Sequence, residues 1–156
     1  HQWFEDQLAA DLGCPETGDG GFAHHSLLMR MGRTTFDIRH HTESNSTRPW
    51  TKGGGAQRTA KMVMDYYYES GDKPPDWAIR NHVHHFEDSG RNFKTRALFL
   101  PCWQAPGGWL HRIGLGAKMP EFGMGYFVCR DGAVVEWGLI EVPVKRNKPM
   151  IPEVVK

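Results

Sequence analysis

The stretch Pro74-Pro75-Asp76-Trp77-Ala78-Ile79-Arg80-Asn81-His82-Val83-His84-His85-Phe86-Glu87-Asp88-Ser89-Gly90 decides the reading of this chain. The paired prolines end whatever helix precedes them. Trp77–Arg80 is short, largely apolar and bounded by breakers, which predicts a buried strand. Asn81-His82-Val83-His84 then lies at its carboxyl end. If strand geometry persists, positions i and i+2 share a side, so His82 and His84 are expected to face one site. His85 is expected to turn away, to a supporting position or to the surface.

Working outward, Gly54–Ser70 places Ala56, Ala60, Val63, Met64 and Tyr67 on one helical face, and Gly71, Pro74 and Pro75 end that helix. Upstream, Ser26–Met31 and Thr34–His40 are apolar β-type runs joined by Gly32-Arg33, the signature of a hairpin. Its second strand runs into His40-His41, and 41–53 reads as polar loop. Downstream, Lys94–Leu100 predicts a further strand. Gly123–Arg130 and Ala133–Val142 flank Asp131-Gly132, a strong hairpin signal. Residues 2–12 carry a helical pattern, 15–21 and the Gly- and Pro-rich 101–122 read as loop, and 145–156 as a mobile tail. The expected order is β-β-α-β-β-β-β, a mixed-sheet α/β sandwich with flanking helices in one domain, 1–144.

At 156 residues the chain is long enough to bury a core, and 39% hydrophobic residues exclude a disordered class. The net charge of +1 supplies no global field toward nucleic acid or membrane. No apolar run is long enough to span a bilayer, and the start has no signal-peptide pattern. Three cysteines, at 14, 102 and 129, match no zinc spacing and suit reduced thiols, so the expected location is cytoplasmic.

Histidine is the unusual component, with nine residues, most of them in tight groups. A lone pair is more often solvated loop or core donor. A strand-terminal H-x-H beside a second strand-terminal pair reverses that balance, because imidazole is the commonest protein metal ligand. The crevice beyond the carboxyl ends of strands is also where α/β sheets place ligands. His24-His25 and His111 lack that context and are expected to be structural.

These residues resemble the last two signature blocks of the calcineurin-like metallophosphoesterases. One block, a strand followed by His, is matched by Phe36-Asp37-Ile38-Arg39-His40-His41. The other, a strand followed by Gly-His-x-His, is matched by Ala78-Ile79-Arg80-Asn81-His82-Val83-His84, with Asn81 in place of the usual Gly. The wider pattern is similar to phosphoesterases encoded by phages and their bacterial hosts. The resemblance implies a hydrolase for phosphomonoesters or phosphodiesters, a nucleotide or DNA among them. It implies two divalent ions (Mn, Fe, Zn or Ni) and a bacterial or phage-infected cell as the setting. Carried over by position, His40 and His82 resemble ligands of the second metal and His84 a ligand of the first. His41 and Asn81 then face the substrate, with His41 the alternative to His40 as ligand.

The family's first blocks, including the metal-bridging Asp, have no counterpart here. An N-terminal segment or a partner chain is therefore expected to supply them, and without them weak metal binding and no hydrolysis are expected. His1, as a remnant of the third block, would be the acid for the leaving group. Glu87 and Asp88 are weighed as loop carboxylates within reach of a metal, although a solvated role is the commoner one. Two other readings stand beside this one. A histidine-metal nuclease would need a His base near an Asn, for which Asn92 and His111 are available. A non-enzymatic phage or virion module would use a structural metal and a surface of Trp50, Trp103 and Trp109. Gly53-Gly54-Gly55 has the look of a phosphate cradle, with Lys52, Arg58 and Lys61 beside it, although a loop-to-helix junction is the commoner role. Arg91, Lys94 and Arg96 form a further candidate anion contact, with a solvated strand face as its default.

Overall fold

The computed structural model describes residues 26–43, 53–103 and 121–143, with Gln7, Ala10, Asp11, Gly13 and Glu16 besides. His1, His24-His25, Trp50, Lys52, Trp109, His111 and the tail lie outside the described residues. The described part is mixed α/β. Its elements are β1 (Ser26–Met31), β2 (Thr34–Arg39), α1 (Gly54–Glu69), β3 (Trp77–Arg80), β4 (Glu87–Asp88), β5 (Arg96–Phe99), β6 (Gly123–Arg130) and β7 (Ala133–Glu141). The two-residue β4 had no legible strand signal.

Five strands form one sheet in the order β1-β2-β3-β5-β4, and β6-β7 forms a separate hairpin. Strands β2, β3 and β5 run parallel, with β1 and β4 antiparallel at the edges. Parallel neighbours need a crossover, and α1 supplies the one between β2 and β3. Because side chains alternate across a strand, each sheet face receives its own core. On one face Ala78, Ala97 and Phe99 meet the small residues Ala56 and Ala60, with Val63, of α1. On the other, Phe36, Trp77, Ile79 and Leu98 meet Phe127, Cys129, Val134 and Trp137 of the hairpin. Phe127 stands edge-on to both Phe36 and Trp77, at 5.2 and 5.0 Å between centroids. The result is three layers: helix, sheet and hairpin.

The two hairpin turns lock together. Gly32 has a positive φ of 62° at the first turn position, and Asp131 and Gly132 have φ of 50° and 76°. These are the backbone signs of the primed hairpin turns. The Gly132 carbonyl accepts from the Arg33 N–H at 2.7 Å, the Thr34 N–H at 3.1 Å and the Thr34 hydroxyl at 3.3 Å. The turn of the hairpin layer is thereby fastened to that of the sheet.

Helix α1 has Gly53 at its N-cap, which supplies no side-chain cap. Its cap comes from across the molecule, where the Glu87 carboxylate accepts the Ala56 N–H at 3.0 Å. Burial raises the Glu87 carboxyl, but hydrogen bonds from the Gly53 N–H, His85 and the Ala56 N–H outweigh it and hold the group below its ordinary value. A buried carboxylate at a helix N-terminus takes the place an anion would occupy. The triple glycine is thus the loop-to-helix junction and its anion position is already filled.

Candidate metal centre

Strands β2 and β3 are parallel and adjacent, so their carboxyl ends deliver the two histidine groups to one edge of the sheet. His40, His41 and His82 each present a ring nitrogen there, and these atoms lie within 4.8 Å of one another. The His82 Nδ1 is 3.2 Å from the His40 Nε2. Ring centroids are 4.8 Å apart for His40 and His41, 5.1 Å for His40 and His82, and 4.5 Å for His41 and His82. Zinc–nitrogen bonds of about 2.0–2.1 Å put tetrahedral ligand atoms roughly 3.4 Å apart. The His82–His40 pair, at 3.2 Å, is close to that separation, and the third ligand atom lies within 4.8 Å of the other two. All three residues are exposed, which leaves room for solvent or substrate.

The backbone at His82 explains its aim. Its φ is 68°, and the Val83 N–H donates across it to the Asn81 carbonyl at 2.8 Å. A hydrogen bond spanning one residue at positive φ marks the rarer and more strained γ-turn. His84 also has positive φ, at 58°. Strand geometry therefore stops at Arg80, and the expectation that His82 and His84 share a side through β-alternation does not hold. The His84 ring lies 6.3 Å from that of His82 by centroids and is not one of the three. His41, expected at the substrate, stands among the ligand-capable rings. Asn81, expected to face the substrate, accepts the turn's hydrogen bond through its carbonyl, and the positive φ falls on His82.

The neighbouring loop is held from several sides. His85 engages both ring nitrogens, with the Val83 carbonyl at 2.8 Å and the Glu87 carboxylate at 2.9 Å, which withdraws it from metal ligation. The Glu121 N–H donates to the His84 carbonyl at 3.0 Å, and the Glu121 carboxylate accepts the Phe86 N–H. Asp88 pairs with Arg96. Neither Glu87 nor Asp88 is a metal ligand in this arrangement, because each is already committed. Asn92 donates to the Ser89 carbonyl in the loop leading to the amino end of β5, the wrong end of the sheet for a nuclease centre at the histidines. His1 lies outside the described residues.

Beneath the histidines is an ion network that the motif reading missed. Arg80 is fully buried and bonds Asp37 Oδ2 at 3.1 Å, Glu43 Oε1 at 2.7 Å and the carbonyls of Asp37 and Ile79. Arg39 adds a bond to Asp37 at 2.9 Å. Burial raises the Glu43 carboxyl, but the hydrogen bond and charge of Arg80 outweigh this and hold it below its ordinary value. The network brackets the site: His40 and His41 sit between Asp37 and Glu43, and His82 is two residues beyond Arg80. The sequence signal was an Arg inside an otherwise apolar four-residue strand, since an Arg buried there needs a carboxylate.

Burial lowers the His82 imidazole below its ordinary value of 6.5, and the neighbouring His41 and His40 lower it further. His84 is lowered by burial first, then by His82 and His85. Both shifts favour the neutral ring, the form that metal ligation requires. The folded state takes up these protons less readily than the unfolded chain, so stability falls as pH drops below about 6.5. Glu43, Glu87 and Asp88 have lowered values, so the stability they add holds above about 4.5 and is lost as pH falls through their folded values. Urea midpoints between pH 7.5 and 3 should therefore decline in two stages. A flat profile from pH 7 to 5 would contradict the histidine environment described.

Compared with family models, with curated proteins and with solved structures, the chain matches none. Among the described residues no helix is long and apolar enough to cross a membrane.

Proposed function

We propose that the chain is part of a metal-dependent phosphoester hydrolase of the metallophosphoesterase type, and that His40, His41 and His82 hold a divalent ion. The observation that carries this reading is the convergence of the three imidazoles, one of them placed by a strained turn. Non-glycine residues at positive φ cost of order 1–3 kcal/mol and cluster at functional sites. A bound divalent ion supplies a Lewis acid for a phosphoryl oxygen and an acidified water. The chain's own residues present imidazole nitrogens, hold them in register through the Arg80 network and leave an open side for a phosphate ester, a nucleotide or DNA phosphate included. A second ion would use His84 together with carboxylates from an N-terminal segment or a partner chain. The setting proposed is the cytoplasm of a bacterial or phage-infected cell.

His82→Asn provides the cleanest test, because Asn tolerates the left-handed backbone while removing the imidazole. The natural gene product that carries this chain, supplied with Mn2+, should hydrolyse bis(4-nitrophenyl) phosphate or 4-nitrophenyl phosphate. His82→Asn should lower that rate by more than about 100-fold, the upper end of what losing even an outer metal partner costs. The chain alone should bind the ion without turnover. Undiminished hydrolysis in His82→Asn would contradict the proposal. Tight metal binding with no turnover of either ester by the natural product would favour the structural-metal reading.

A further inference from the structure

The turn that carries His82 and His84 is held in a conformation its own residues disfavour. Non-glycine residues at positive φ are costly, and two of them fall within three residues here, at 68° and 58°. Contacts from outside the turn have to offset that cost. The ends of segment 81–86 are fixed first. The Arg80 carbonyl accepts the Leu100 N–H at 2.8 Å, and the Phe86 ring stacks on Trp137 of the hairpin layer at 6.4 Å between centroids.

Glu121 then grips the segment at two points. Its N–H donates to the His84 carbonyl at 3.0 Å, and its carboxylate accepts the Phe86 N–H, so the two bonds bracket His85. Glu121 is itself placed by backbone bonds at the entry to β6. Its carbonyl accepts the Cys102 N–H at 3.0 Å, and the Phe122 carbonyl accepts the Val142 N–H at 2.8 Å. The anchor therefore belongs to the hairpin layer, which packs on the sheet through its own core. It lies 35 residues along the chain from Phe86, and no motif signalled it.

We propose that Glu121 is a positioning residue, holding segment 81–86 at the positive φ values that aim the His82 and His84 rings. The backbone bond fixes the His84 carbonyl. The carboxylate fixes the Phe86 N–H through a charge-assisted bond, stronger than a neutral one. Without that acceptor the Phe86 peptide is released and the turn relaxes toward negative φ, which takes the His82 ring away from His40 and His41. The effect of Glu121 on metal rests on the proposed histidine centre, whereas its effect on the turn does not.

The test compares Glu121→Ala and Glu121→Gln with the parent, using the whole chain. Glutamine keeps an acceptor oxygen for the Phe86 N–H, alanine removes it, and the backbone bond to His84 is present in both. Amide hydrogen exchange at Val83 and Phe86 is followed by NMR in EDTA, and Zn2+ affinity is measured by titration. In Glu121→Ala both amides should exchange about tenfold faster or more, while those of β3 and β5 keep their parent rates. Zn2+ should bind about tenfold more weakly, the usual cost of losing an outer metal partner. Glu121→Gln should restore most of both. Unchanged exchange at Val83 and Phe86 in Glu121→Ala would overturn the proposal. Faster exchange throughout β3 and β5 would also overturn it, by making Glu121 a general support of the fold. So would loss of Zn2+ in Glu121→Gln with exchange unaltered, which would make the carboxylate a metal ligand. A parent protein that binds no Zn2+ would count against the metal centre alone, because the exchange measurement is made without metal and decides the positioning by itself.

Discussion

Gly32→Ala is expected to destabilise the protein by about 3 kcal/mol or more, among the largest effects of any single methyl in the described structure. A Cβ at Gly32 would sit 2.1 Å from the Gly132 Cα and 3.0 Å from its carbonyl carbon, both backbone atoms. Neither hairpin turn can yield without giving up the hydrogen bonds that converge on the Gly132 carbonyl. The positive φ adds its own cost, roughly 1–2 kcal/mol for an L-residue. Gly71 separates the two contributions, since it has φ of 77° with nothing within 4 Å of its Cβ position. Gly71→Ala should therefore show the conformational cost alone. Urea unfolding of the two variants side by side should place Gly32→Ala well below Gly71→Ala. Equal midpoints would mean that the turn-to-turn contact contributes nothing.

Arg80→Met should cost about 3–5 kcal/mol, the range for removing one partner of a buried ion pair. The loss leaves the Asp37 carboxylate, 2% exposed, with Arg39 as its remaining cation. Glu43 loses its bonds to the Arg80 guanidinium and keeps the 3.7 Å approach of Arg39 and a hydrogen bond from its own backbone N–H. Because replacing a whole buried pair by apolar residues is often near neutral, Arg80→Met with Asp37→Leu should recover part of the loss. The same substitution should also weaken metal binding, since the network ties the segment of His40 and His41 to that of His82. An Arg80→Met protein that stays stable and keeps full metal affinity would show that the network neither supports the fold nor positions the histidines.

Both of these features were partly legible in the sequence. Asp131-Gly132 and Gly32-Arg33 announced their turns, because turn chemistry is local, and β6, β7, α1 and Trp77–Arg80 followed from periodicity and breakers. That the two turns touch was not legible, because their contact joins segments about a hundred residues apart. Arg80 was visible as a charge in a buried strand, yet its partners could not be named without the parallel pairing of β2 with β3. The site was legible to the same degree. The two histidine groups could be assigned to strand ends, and parallel pairing brings such ends together. The choice among His40, His41, His82 and His84 depended on extending strand geometry through Asn81-His82-Val83-His84, where the chain instead turns through positive φ at His82 and His84. Histidine is among the residues that tolerate that region, so composition alone gave no warning. Glu87 and Asp88 read as loop acids because the helix cap and the Arg96 pair they form are both tertiary.

Metal titration of the purified chain tests the central claim most directly. Titrated with excess Zn2+ or Mn2+, the protein should bind weakly but saturably, approaching one ion per chain at a site lost in His82→Asn and in His40→Ala, while His85→Ala retains it. Uptake should fall as pH drops below about 6.5, when protons compete for the rings. Metal retained by His82→Asn, or none taken up by the parent protein at pH 7.5, would contradict the assignment of these histidines to a metal centre.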